Sequence, residues 1–108
     1  MAFKRKVQAS VGTALTSVGT YTCPALTQVT LIGLTIANTS AGNILVDVTL
    51  YNGVTDYYIV KSVPVPVGST VVVVGGDQKV VLEPGDSIRV KSDTAASCDV
   101  VMSILEIV

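Results

Sequence analysis

Histidine and tryptophan are missing from this 108-residue chain, phenylalanine occurs once and cysteine twice. Proton transfer near neutral pH and most transition-metal binding draw on histidine or a cysteine cluster, so the usual means of both are lacking. Charge is scarce as well: 14% of residues are charged against 49% hydrophobic, and the mean hydropathy is +0.63. The apolar residues are nonetheless dispersed. The longest unbroken aliphatic stretch is Val71 to Val74, far short of the roughly 20 apolar residues that a spanning helix needs. An enzyme and a helical membrane protein are therefore both unexpected.

What is present is β-branched. Valine, isoleucine and threonine supply 21, 7 and 12 residues, 40 of the 108, and such side chains suit a pleated surface. Turn signals recur along the chain with period-2 alternation between them, the pattern of a sandwich or barrel. The segment Thr27 to Asn38 is apolar on both faces, which places it centrally or at an interface. Ile44, Val46, Val48 and Leu50 alternate with Leu45, Asp47, Thr49 and Tyr51, and Asp47 marks the solvent face.

Asn52-Gly53 signals a hairpin into Asp56 to Lys61, whose register has two solutions. A two-residue turn pairs Val48 with Tyr57 and turns Lys61 inward; a five-residue loop pairs Leu50 with Tyr58 and leaves Lys61 outside. Burying an unpartnered lysine costs more than lengthening a loop, so the longer loop is expected, with Tyr51 and Tyr57 side by side on the outer face. Val63-Pro64-Val65-Pro66-Val67 belongs on an edge, because proline removes ladder donors. Gly75-Gly76-Asp77-Gln78 predicts a hairpin that returns Val71 to Val74 as Lys79 to Glu83. Glu83-Pro84-Gly85-Asp86 carries proline and glycine where a type II turn needs them. Beyond it, Ile88 and Val90 point in, Arg89 and Lys91 point out, and a last strand runs from Cys98 to Ile107.

The expected fold is all-β: a single antiparallel β-sandwich, jelly-roll-like, of about eight strands. Residues 1–12 are expected to form an irregular basic arm, and residues 13–108 the sandwich. Lys4, Arg5 and Lys6 put three positive charges in that arm, while residues 7–108 hold four bases against eight acids, a body of formal charge −4. Such an arm is either a solvated tail or a strap for an acidic neighbouring subunit, and serves attachment, not folding. Cys23 and Cys98 lie 75 positions apart with no secretory signal legible, so they are expected as buried free thiols.

No catalytic, cofactor or metal site is expected. Asp77, Glu83, Asp86, Asp93 and Asp99 all fall in or beside turns, where aspartate commonly bonds local backbone, and their spacing lacks the pattern of a calcium loop. A carbohydrate platform would have only Tyr51 and Tyr57 to draw on. The high apolar content instead points to surface shared with another subunit, and a homo-oligomer is expected, most simply a trimer. The candidate contact residues are Lys4, Arg5 and Lys6 in the arm, Tyr51 and Tyr57 on one sheet, and Val71 and Val73 in the valine run. Neither a membrane nor a specific nucleic acid is an expected partner.

From about Gly19 to Ile107 the chain resembles small virion proteins of tailed bacteriophages. Thr20-Tyr21-Thr22-Cys23-Pro24-Ala25, Leu34-Thr35-Ile36-Ala37-Asn38-Thr39-Ser40 and Asp56-Tyr57-Tyr58-Ile59-Val60-Lys61 carry the resemblance, with Val65-Pro66-Val67-Gly68-Ser69 and Leu82-Glu83-Pro84-Gly85-Asp86-Ser87-Ile88. These are architectural segments, not site motifs. The resemblance implies a structural protein made in the host cytoplasm and carried on the virion, favouring a decoration (cement) protein on the capsid surface. A neck, collar or tail component and, from another class, a carbohydrate-binding module are the alternatives.

Overall fold

The computed structural model describes residues 1–75 and 79–107. Among the described residues nine strands form: β1 (Ala2–Val11), β2 (Thr16–Ser17), β3 (Gln28–Asn38), β4 (Ile44–Tyr51), β5 (Asp56–Val65), β6 (Thr70–Val74), β7 (Val80–Leu82), β8 (Ser87–Ser92) and β9 (Cys98–Ile107), with a 3-10 turn at Val18–Thr20. One sheet has the order β1-β9-β3, with β6 and β7 both on the far side of β3; the other has the order β2-β8-β4-β5. All pairings are antiparallel. The chain thus changes sheet at nearly every connection, which is the double Greek key of a jelly roll.

Alternation decides what each sheet buries. Leu31, Leu34 and Ile36 of β3 and Val100, Met102 and Ile104 of β9 face Val46 and Val48 of β4 and Ile88 and Val90 of β8, all essentially inaccessible to solvent. Each such side chain contributes about 1.5–3 kcal/mol relative to leaving it exposed. Polar side chains then anchor the connections. The Asn38 amide donates to the carbonyls of Gly42 (2.8 Å) and Val65 (2.9 Å), tying the β3–β4 loop to β5. In the β7–β8 connection the Asp86 N–H donates to the Glu83 carbonyl at 2.9 Å while Gly85 adopts φ 92°, the type II turn that Pro84-Gly85 predicts.

Three expectations need correction. Residues 1–12 are not an irregular arm: Ala2 to Gln8 pair rung by rung with Glu106 to Val100, so this segment is an edge strand of the sandwich. The three cations hid the alternation of Phe3, Arg5 and Val7. Second, the turn expected at Gly75-Gly76-Asp77-Gln78 lies partly outside the described residues, but its flanking strands do not pair with each other. Both pair with β3, β6 along Leu34–Ala37 and β7 along Val29–Leu31, so they line one edge end to end.

Third, the β4–β5 loop is four residues long. Tyr51 pairs with Asp56 and Leu50 with Tyr57, closed by the Asn52 side chain, whose Oδ1 accepts from the N–H groups of Val54 and Thr55. Beyond a bulge Val48 pairs with Val60, and Lys61 is exposed, as the longer loop requires. A second shift between Val46 and Val48 accompanies Ser62 at φ 55°, whose N–H donates to Asp47 Oδ1 at 2.7 Å. Asp47 therefore lies on the outer face, as its alternation requires, but is buried there by the bulge.

Candidate interaction surface

The outer face of the β2-β8-β4-β5 sheet is polar and internally satisfied. The Arg89 guanidinium makes a two-pronged contact with the Asp56 carboxylate, its Nε donating to Oδ1 at 3.0 Å. Thr49 Oγ1 donates to the same oxygen at 2.8 Å. The Arg89 bonds hold the Asp56 carboxyl below its ordinary pKa and raise that of Arg89 in return. Arg89 also lies 3.9 Å from the Tyr51 ring centre, and Lys61 lies 4.6 Å from that of Tyr58. The four-residue loop puts Tyr58 on this face beside Thr49, while Tyr57 sits opposite Leu50 on the other. Tyr51 and Tyr57 are therefore not a pair, and the one-residue slip that separates them is the difference between a five- and a four-residue loop.

The basic segment is divided by the same alternation. Lys4 and Lys6 pair with the buried Ile104 and Met102, so both turn to the inner side of the sheet. There Lys4 Nζ meets Glu106 at 2.9 Å, and Lys6 lies 5.1 Å from the Tyr21 ring centre. The 3-10 turn covers this margin. A Cβ at Gly19, whose φ is +60°, would come within 3.0 Å of the Lys6 Cβ, so close approach and backbone both call for glycine. The Tyr21 hydroxyl donates to Glu106. That bond, with Lys4, holds the Glu106 carboxyl below its usual range, while burial and then Glu106 push the Tyr21 hydroxyl far up. Arg5, opposite Ser103, points outward.

Two apolar rows cross the outer face of the β1-β9-β3-β6/β7 sheet. Phe3 stands beside Leu105, Thr30 and Val81, and Val7 beside Val101, Thr35 and Val72, each row running over four strands. Phe3 is 75% exposed, Val72 63%, Val81 62%, Val7 55% and Val101 45%. On these strands, among the described residues, the charged side chains of this face are Arg5 and Asp99 alone. The rows are separated by the rung Arg5–Ser103–Gly33, and a face of this kind, with apolar bands, neutral polar side chains and few charges, has the composition of a subunit contact.

Of the expected contact residues, only Arg5 belongs to this face. Val71 and Val73 are half-buried and pack on the core, because Val71 pairs with the inward Ile36 and Val72 with the outward Thr35, and the shift beyond Val72 turns Val74 inward as well. Phe3, Val7, Val81 and Val101 were missed. Their signal was the two-sided apolar character of the β3 segment, which left its second face without a cover.

Other groups are quiet. Cys23 and Cys98 are both free and buried; burial raises the Cys23 thiol and pushes that of Cys98 up to about 11, away from the reactive thiolate. Among the described residues no group of three histidine, cysteine, aspartate or glutamate side chains could hold a metal ion, and no helix is long and apolar enough to cross a membrane. No protein-family model matches the chain, and no curated protein or solved structure is significantly similar to it.

Proposed function

We propose that this protein is a non-enzymatic structural subunit of a tailed-phage virion, best read as a decoration protein that stabilises the head shell by non-covalent contacts between capsid subunits. One observation carries the reading: the jelly roll leaves a sheet face with exposed apolar rows and few charges uncovered, a surface suited to association and not to chemistry. The architectural segments shared in character with small virion proteins point the same way. The carbohydrate alternative is weaker, since Tyr51 and Tyr57 lie on different faces and Arg89 covers the Tyr51 ring.

A module of this kind does no chemistry. A modest contact repeated over a lattice strengthens the whole, most where one copy bridges neighbouring subunits. Stripped particles to which the protein is added back should bind it saturably over the whole head and resist heat better than stripped ones. Binding confined to one vertex or to the tail would move the assignment to a neck, collar or tail component. Absence of any particle binding would end the virion reading.

A further inference from the structure

We infer that the outer face of the β1-β9-β3-β6/β7 sheet is covered by a second copy of this chain, packed face to face about a two-fold axis. The inference rests on the reading of the molecule as a structural subunit and names what completes it.

Size is the first support. Four strands about 4.8 Å apart, over the roughly 20 Å from the Phe3 row to the Asp99 row, give a flat footprint of about 400 Å². Side-chain relief enlarges the accessible area, so two copies together approach the roughly 1,000 Å² that a specific interface requires. The face is also rich in β-branched side chains, as in the inner layers of a sandwich, where aligned sheets pack well.

Charge is the second. Within the described strands the face holds one cation and one anion, and they are placed so that the face complements itself. Arg5 pairs with Ser103, and Asp99 lies four residues back along β9, with Val101, the partner of Val7, at the midpoint. A two-fold axis running across the strands along the Val7–Val101 row therefore sets Arg5 of each copy over Ala9 of the other, one strand spacing of about 4.8 Å from Asp99 and within reach of the long arginine side chain. Asp99 spends one oxygen on the Ser10 N–H (3.0 Å), which leaves the second for the arginine. A single patch that complements itself is isologous and gives a dimer; the trimer expected from composition would need two different patches. Edge-to-edge pairing through β1 is the poorer route, because it would set Lys4, Arg5 and Lys6 against their own copies. A dimer also presents every remaining surface twice, and so attaches to a repeating shell at two points.

The test is sedimentation of the full chain at micromolar concentration beside variants whose folding is checked by melting. The wild type should be a dimer. Val101→Lys, at the centre of the face, should be a folded monomer, and Val72→Lys on the opposite edge serves if the first fails to fold. Arg5→Glu should weaken the dimer about tenfold, and adding Asp99→Lys should restore most of the loss. A wild type that stays monomeric at about 100 µM, a trimer, a dimer untouched by both lysine variants, or a double variant no tighter than Arg5→Glu would each overturn the inference. Shell binding is scored separately. A monomer that binds shells, and loses that binding on Val101→Lys, assigns the face to the capsid and overturns self-pairing alone; a dimer that binds no shell keeps this inference and removes the virion role.

Discussion

Glu106 falls on the inward phase of β9, after Met102 and Ile104, and a carboxylate there is tolerable only because two partners reach it. Tyr21 donates from the segment after the 3-10 turn and Lys4 from the edge strand, so one side chain ties three parts of the chain together. Asp56 does the same on the opposite sheet with Arg89 and Thr49. Both carboxyls are held below their ordinary pKa. Their stabilisation is therefore complete above the unfolded carboxylate range and is lost as pH falls through the lower folded values. The melting temperature should be flat between about pH 5 and pH 8 and decline below about pH 4. Tyr21→Phe removes the first donor to Glu106; it should cost about 1–2 kcal/mol at neutral pH and make the acid decline shallower. Thermal melts of both proteins from neutral to acid pH check this, and identical profiles would leave the Tyr21 bond without a role.

Among the elements, β1 changes most between sequence and structure. As an arm it would be dispensable; as an edge strand it pairs with β9 along Ala2–Gln8 and supplies Lys4 and Lys6 to the Tyr21–Glu106 cluster. Deleting residues 1–8 should therefore remove at least about 2 kcal/mol and lower the melting temperature by roughly 8 °C or more, measurable by calorimetry. A drop of only a degree or two would return the segment to the status of a solvated tail. The same strand presents Phe3 and Val7 on the outer face, so the deletion also removes one side of the proposed contact. Fold and association share this element.

At the scale of the molecule, the formal division into a basic arm and an acidic body disappears. Lys4 is paired within the chain and Lys6 is stacked, which leaves Arg5 as the outward charge of the triplet. Association through a face whose described strands carry only Arg5 and Asp99 as charges should respond weakly to salt: between about 0.05 and 0.5 M the affinity should change less than roughly threefold. Sedimentation or particle binding against ionic strength checks this. A steep fall with salt would mean that the basic segment carries the attraction, as its sequence suggests.

The all-β class, the strands from Gln28 to Tyr51 and from Ser87 to Ile107, the type II turn and the buried thiols were legible in the sequence. Each rests on local chemistry: alternation, turn residues, or the burial habit of cysteine. Where one residue of slip changes every outward side chain, local chemistry no longer decides. The β4–β5 loop, the bulge that buries Asp47 and the register that makes Val72 the exposed valine all depend on pairing with a distant strand. So do the strand order, the recruitment of β1 beside β9, and the end-to-end placement of β6 and β7 on β3. Alternation specifies that a strand has two faces; only the assembled sandwich decides which of them stays uncovered, because that depends on which strands become neighbours and which face of each sheet meets the other.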